Sequence, residues 1–211
     1  MLNIALPKGR LGNKIYDMLL ASGFATETQE EGDRKLIMRD EEAGISYFWV
    51  KPSDVATYVE CGAADVGIVG KDLLLEQNPE VYELLDLKTG ICRLAVAAPK
   101  DFRDDSRRQL KVGTSYTNVA RRYYESIGRD VAIIPLHGSV ELAPLTGLSD
   151  VIVDIVETGR TLKENGLEVV TEIVPISARF IANKAHYEFK RMEIQNMLDC
   201  LKEQVAAKEE K

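Results

Sequence analysis

Between residues 154 and 162 the chain reads Asp-Ile-Val-Glu-Thr-Gly-Arg-Thr-Leu. An apolar run ends in acid, then passes through hydroxyls and a glycine into a short helical stretch. That order of residue types can build a phosphate cup. Gly159 lets backbone approach an anion closely, Thr158 and Thr161 offer hydroxyls, and free N–H groups at a helix start point into the cup. Asp154, at its edge, can hydrogen-bond sugar hydroxyls or hold Mg2+ through the waters of the ion. An ordinary strand-to-helix turn with a threonine cap has the same composition. A second run, Thr114-Ser115-Tyr116-Thr117-Asn118, follows a strand-like segment and reads either as another anion cup or as helix capping. His137 and His186 are isolated, and no serine or cysteine has a nucleophile-elbow context, which disfavours hydrolase chemistry.

The elements that must position these residues alternate between strand and helix. Leu2 to Leu6 reads as a buried strand, Pro7 to Arg10 as a polar loop, and Leu11, Ile15, Met18 and Leu19 as one face of a helix ending near Gly23. Ser53 can cap a helix through Val55, Tyr58 and Val59, closed by Gly62, and a strand from Asp65 to Val69 follows almost at once. A parallel βαβ arrangement is the economical reading. The second series runs from a strand at Lys111 to Gly113, through a helix with Val119, Tyr123 and Ile127, to a strand at Val131 to Ile134. A helical Val140 to Leu145 and an apolar strand from Asp150 to Val156 follow. Leu167 to Val174 and Ala178 to Ala182 read as strands. The last helix, from Tyr187 to about Ala206, carries Met and Tyr residues that suit core or subunit interface.

One internal echo bears on architecture. Gly62-Ala-Ala-Asp65-Val resembles Gly147-Leu-Ser-Asp150-Val, each a helix-ending glycine followed by Asp-Val and an apolar strand. Two similar α/β lobes produce such an echo, with Ile91 to Ala98 leading into the second and the stretch around Val174 to Phe180 leading back. The expected division is residues 1–90 with 178–211 as the first lobe and 91–177 as the second, with ligands between lobes at the carboxyl ends of strands.

Composition excludes several classes. A net charge of -7 over 211 residues lacks the basic excess of a nucleic-acid binder. Any anion must therefore be captured locally. Three scattered cysteines suggest neither a disulfide framework nor a zinc site and fit a reducing cytoplasm. No apolar run approaches the ~18 residues of a membrane span, and the N-terminus lacks a signal-peptide core. At 45% hydrophobic the chain has material for a packed core.

The extended pattern Glu141, five residues, Gly147, one residue, Ser149, two residues, Ile152, then Asp154-Ile155, Thr158-Gly159 and Thr161-Leu162 resembles the ATP phosphoribosyltransferases. Ala5-Leu6-Pro7-Lys8-Gly9-Arg10 is similar to that family's N-terminal loop, Asp33-Arg34-Lys35-Leu36 to its early arginine segment, and Gly62 to Asp72 to its first-lobe glycine segment. The resemblance implies two α/β lobes of type II periplasmic-binding-protein fold. It also implies transfer of 5-phosphoribosyl from phosphoribosyl pyrophosphate to N1 of ATP, releasing pyrophosphate, as the first step of histidine biosynthesis. Mg2+ is implied as cofactor, bound mainly through substrate phosphates rather than by an all-protein site. The chain ends after one terminal helix without an extra regulatory domain, so it resembles the short form. That form implies a dimer of catalytic subunits working with a separate regulatory subunit related to histidyl-tRNA synthetase, as a hetero-octamer.

On that resemblance, Glu157, Thr158, Gly159, Arg160 and Thr161 are assigned to the ribose 5-phosphate, and Asp154 with Glu141 to the ribose hydroxyls or metal waters. Arg10 and Arg34 are the candidates for the departing pyrophosphate, since a planar guanidinium grips two phosphate oxygens at once. One of them can act from a neighbouring subunit. Lys8 and Gly9 meet the phosphates of either substrate, and Thr114 to Asn118 those of ATP or pyrophosphate. Two other readings keep the same fold: a solute-binding or ligand-sensing module, and a phosphoribosyltransferase with a different base.

Overall fold

The computed structural model describes residues 1–25, 36–41 and 43–209. In chain order the elements are β1 (Leu2–Pro7), α1 (Arg10–Ala21), β2 (Ile37–Asp40), β3 (Ile45–Val50), α2 (Val55–Glu60), β4 (Val66–Gly70), α3 (Lys71–Gln77), β5 (Val81–Asp86) and β6 (Cys92–Pro99). Then come β7 (Leu110–Thr114), α4 (Thr117–Ser126), β8 (Val131–Pro135), α5 (Leu142–Leu145), β9 (Val151–Val156), α6 (Arg160–Glu164), β10 (Leu167–Ile176), β11 (Ala178–Asn183), α7 (Lys184–Phe189) and α8 (Arg191–Glu209). They form two compact units. The first comprises Met1–Leu74, Asn78–Gly90 and Ser177–Lys211; the second comprises Leu75–Gln77 and Ile91–Ile176.

In the first unit the sheet order is β2-β3-β1-β4-β11-β5. The neighbours β3, β1 and β4 run parallel, whereas β11 lies antiparallel to both β4 and β5. Alternation along β1 sends Ile4 and Leu6 to one face and Ala5 to the other. The first face is sealed by Ile15 and Leu19 of α1 and by Ile194, Met197 and Leu201 of α8. All five are fully buried, which stabilises the unit by about 1.5–3 kcal/mol for each side chain taken from water. Val55 and Val59 of α2 and Leu74 of α3 cover the opposite face. Helix α1 stops where the Gly23 and Phe24 amides fold back onto the Leu20 and Leu19 carbonyls, at 3.1 and 2.9 Å, a paired closure that satisfies terminal carbonyls. The phenol of Tyr47 on β3 donates to the Phe24 carbonyl. Burial, then Tyr16 and Asp40, push that phenol far above its ordinary pKa.

The second unit has the order β10-β6-β9-β7-β8. Here β9, β7 and β8 are parallel and β6 and β10 are antiparallel additions. Helix α4 packs Val119, Ala120 and Tyr124 on Val112, Val151 and Val153, while Val140, Val156 and Leu162 seal the other face. The parallel reading of the sequence therefore describes three strands of each sheet. Of the remaining strands β2, β11 and β6 run the other way, while β5 and β10, each antiparallel to a reversed neighbour, run with the parallel set; hydrophobic alternation does not encode these directions.

The echo around Asp65 and Asp150 is a structural correspondence. The Asp65 carboxylate accepts the Asn3 amide of β1 at 2.7 Å and its own amide donates to the Asn3 carbonyl at 2.8 Å. In the second unit the Asp150 carboxylate accepts the Lys111 amide of β7 and its amide donates back to the Lys111 carbonyl, both at 2.9 Å. Matched through these pairs, β1 corresponds to β7, β4 to β9, β3 to β8, β11 to β6 and β5 to β10. The other Asp65 contacts differ from those of Asp150. Asp65 is 1% exposed and lies 2.7 Å from both His186 Nδ1 and Lys190 Nζ, whereas Asp150 meets the half-exposed Arg108 at 2.9 Å.

Asp150 makes the second unit acid-sensitive in a defined direction. Burial alone would raise its carboxyl, but the Lys111 amide and the Arg108 guanidinium outweigh that and hold it below the ordinary carboxylate range. A lowered folded-state value contributes stability above the unfolded value of about 3.9 and loses it as pH falls through the folded value. The thermal midpoint of Asp150→Asn should therefore lie below the parent's at pH 7, and the gap should close as pH drops below about 4. A gap independent of pH would remove the charge from the explanation. Among the described residues no helix is long and apolar enough to cross a membrane.

Candidate active site

In the second unit, β9 ends at Val156 and the chain turns through Glu157, Thr158 and Gly159 into α6. Gly159 has φ +74°, a left-handed conformation that a residue with a Cβ adopts only at a cost of about 1–2 kcal/mol. The first intrahelical bond runs from the Lys163 amide to the Gly159 carbonyl at 3.1 Å, so the earlier amides of this turn have no partner within α6. Glu157, Thr158 and Thr161 are exposed around them. The Arg160 guanidinium turns along its own helix to Glu164 at 2.8 Å. An exposed i,i+4 pair of this kind is worth about 0.3–0.5 kcal/mol, so Arg160 is weakly held. Asp154 is half-buried, two residues before β9 ends, and its carboxylate accepts the Ile155 amide at 2.8 Å. Glu141 lies partly buried immediately before α5.

Strands β7 and β9 are parallel neighbours, which puts the Thr114–Asn118 turn and the Glu157–Thr161 turn at the same end of one sheet. Inside the first of these turns the arrangement differs from an open cup. Thr114 is fully buried, and its hydroxyl donates to the Val153 carbonyl at 2.6 Å and accepts the Tyr116 amide at 2.8 Å. The start of α4 is closed by the Glu76 carboxylate. It accepts the Asn118 and Val119 amides at 3.0 Å and the Thr117 hydroxyl at 3.2 Å, and the Asn118 side chain donates to the Glu76 carbonyl. A carboxylate at a helix N-terminus suits the dipole, and here it takes the amides a phosphate would use. Ser115 is left exposed. Glu76 escapes sequence reasoning because its partners are some forty residues away and nothing local marks it.

In the first unit, Pro7 ends β1, the Lys8 amide donates to the Val50 carbonyl at 2.8 Å, and Gly9 at φ +103° leads into α1. Lys8 and Arg10 are exposed and have no ion-pair partner among the described residues. Gly12, on the first turn of α1, packs directly on the Pro7 carbonyl. This contact holds the loop that presents Lys8, Gly9 and Arg10. Arg34, the other arginine candidate, lies outside the described residues.

Comparison with known proteins matches residues 51–203 to a family model described as HisG, ATP phosphoribosyltransferase. The ATP phosphoribosyltransferase of Brachyspira hyodysenteriae is 52% identical over 204 residues, covering 96% of this chain and 99% of that protein. The enzyme of the same name from Clostridioides difficile is 51% identical over 205 residues, 96% of this chain and 97% of that one. The solved ATP phosphoribosyl transferase (HisG:HisZ) complex from Thermotoga maritima contains a chain 40% identical to this one, with TM-score 0.85 over 98% of this chain and 100% of that chain. The periplasmic aliphatic sulphonate binding protein SsuA of Escherichia coli has TM-score 0.63 at 14% identity, covering 97% of this chain and 68% of that one. That likeness shows a shared fold, the two-unit fold of a periplasmic binding protein. With matches of this extent and identity, the chain belongs to the ATP phosphoribosyltransferase family.

Proposed function

We propose that this chain catalyses transfer of the 5-phosphoribosyl group from phosphoribosyl pyrophosphate to N1 of ATP, with release of pyrophosphate, as the first step of histidine biosynthesis. One observation carries the residue-level reading: the β9–turn–α6 segment sets a half-buried carboxylate, Asp154, just ahead of the exposed Thr158 and Thr161 hydroxyls and the helix-start amides, of which the Arg160 amide meets the Thr158 hydroxyl only at 3.4 Å. These amides and the Thr158 and Thr161 hydroxyls bind the 5-phosphate, Arg160 adds charge at the rim, and Asp154 with Glu141 takes the ribose hydroxyls. As the bond from ribose C1 to pyrophosphate lengthens, positive charge spreads over C1 and the ring oxygen. Asp154 and Glu141 stabilise it, while Arg10 and Arg34, with Lys8 and Gly9, meet the charge growing on the leaving group. Catalysis is then chiefly positioning and electrostatic stabilisation. Of the second turn, Thr114 to Asn118, Ser115 offers a hydroxyl to the phosphates of ATP or pyrophosphate, and Tyr116 and Thr117 shape the turn behind it.

The reaction class needs a divalent metal, which we take to be Mg2+. Among the described residues no group of three His, Cys, Asp or Glu side chains is gathered to hold an ion. The donor set present, Asp154 with Glu141, fits an ion carried by the substrate's phosphates and touched through water. Bound there, it neutralises phosphate charge. By analogy with the HisG:HisZ complex of Thermotoga, this chain works with a separate partner subunit; from the family resemblance we take that partner to be a regulatory subunit related to histidyl-tRNA synthetase, joining dimers of this chain in a cytoplasmic hetero-octamer.

Pyrophosphate release by the purified chain, alone and with a regulatory subunit, tests the reading when each substrate is omitted in turn. Release that requires both ATP and phosphoribosyl pyrophosphate is expected; binding of either without turnover in any preparation would favour a binding module. Asp154→Asn keeps the size and removes the charge. A hydrogen bond to a charged group is worth about 1.5–3 kcal/mol, so kcat/KM for phosphoribosyl pyrophosphate should fall roughly 10- to 150-fold. A fall below threefold would remove Asp154 from the ribose contacts.

A further inference from the structure

We propose that Thr114 is a positioning residue for the phosphoribosyl half of the site, fixing Asp154 and the Ser115–Tyr116 turn relative to one another through its buried hydroxyl. This rests on the transferase reading above. With no exposed surface, Thr114 cannot touch a ligand, so its action must pass through its partners. Both hydrogen-bonding capacities of the hydroxyl are committed. It donates to the carbonyl of Val153, the residue before Asp154, and accepts the amide of Tyr116, the residue after Ser115. One hydroxyl thus ties the end of β7, the turn that follows it and the segment of β9 that carries the carboxylate.

The correspondence between the two units separates this role from simple packing. Thr114 stands three residues beyond Lys111, and its counterpart, three beyond Asn3, is Leu6. Strand pairing agrees, since Val112 faces Val151 in the second unit as Ile4 faces Val66 in the first. Leu6 is also fully buried, so this layout closes satisfactorily with an aliphatic side chain at that point. Asp154, four residues beyond Asp150, likewise corresponds to Val69, four beyond Asp65 and 1% exposed. Two apolar positions of the first unit are therefore replaced by polar ones in the second, and the two polar residues are linked through Val153. Burying a hydroxyl is tolerated only when it is hydrogen-bonded, and its bonds here end on the backbone of the site.

The test compares Thr114→Val, which keeps the shape and deletes the hydroxyl, with Thr114→Ser, which keeps the hydroxyl. Both are assayed with the regulatory subunit if the parent requires it, alongside calorimetric binding of phosphoribosyl pyrophosphate. Displacing a reacting group by about 1 Å can cost on the order of a hundredfold. Thr114→Val should therefore raise both KM and Kd for phosphoribosyl pyrophosphate by about tenfold or more and be rescued by Thr114→Ser. A structural role alone would lower kcat with the folded fraction and leave KM unchanged; that result, or an unaltered donor KM, overturns the proposal while the transferase reading stands. If the parent binds the donor without turnover, the transferase reading falls and the ratio of Kd values still decides Thr114. If the parent neither turns over nor binds the donor, both fall.

Discussion

Gly12→Ala is expected to destabilise the first unit by about 3 kcal/mol or more and to abolish most turnover. A Cβ built at Gly12 would lie 1.8 Å from the Pro7 carbonyl oxygen, 3.0 Å from the Pro7 carbonyl carbon and 2.9 Å from Cζ3 of Trp49. The nearest obstacle is backbone of the central strand β1, which has no rotamer with which to yield. Helix α1 would have to lift off the sheet by more than about 1 Å to restore van der Waals distance. Alanine's intrinsic helix preference over glycine, about 1 kcal/mol, opposes this and is outweighed. Lifting α1 also moves Arg10, which opens the helix, and Lys8 and Gly9 before it. Thermal or denaturant unfolding measures the first effect and pyrophosphate release the second. Gly138→Ala is the control, because nothing lies within 4 Å of a Cβ there, and it should stay within about 0.5 kcal/mol of the parent. An equally stable Gly12→Ala would show that helix and strand are not locked at this contact.

Arg10→Ala should separate activity from stability in the opposite way. The side chain is exposed and carries no ion pair among the described residues. A cation in the first turn of a helix is opposed by the dipole, so its removal should leave the unfolding midpoint unchanged or slightly raised. Turnover should fall by about a hundredfold to a thousandfold, matching the 2.7–4 kcal/mol associated with losing one donor to a developing anion. Because the contact strengthens as pyrophosphate departs, kcat and kcat/KM should fall together, with little change in KM. Arg10→Lys should recover only part of the loss, since an ammonium supplies the charge without the paired N–H geometry. A drop in kcat of less than about fivefold would move the leaving-group role away from this residue.

Some of this architecture is legible one residue at a time. The strand at Leu2 to Leu6, the helix after Arg10, the strands flanking the glycine segments and the β9–turn–α6 unit all follow from local periodicity and from glycine and hydroxyl residues at turns, which act over a few residues. The motif from Glu141 to Leu162 is legible for the same reason: its residues are concentrated in one stretch of chain. The echo around Asp65 and Asp150 correctly points to two similar units, because each aspartate repeats the same bridge to a neighbouring parallel strand.

What required the tertiary structure is set by groups distant in sequence. The opposite direction of β11 and β6 beside their parallel neighbours depends on where the chain re-enters each sheet, and apolar alternation is identical in both directions. The Thr114–Asn118 run has the composition of an anion cup, yet its amides are taken by Glu76 and its first hydroxyl is turned into the sheet. Capping and phosphate binding ask for the same residue types, and only the location of the acceptor separates them. The burial of Thr114 beside Val153, and of Gly12 against Pro7, likewise arises from strand register and helix packing. The sequence by itself determined which residues are candidates for the chemistry; tertiary structure decided which of them are exposed and which are buried in hydrogen bonds to the backbone, because those contacts join segments that are neighbours only in the fold.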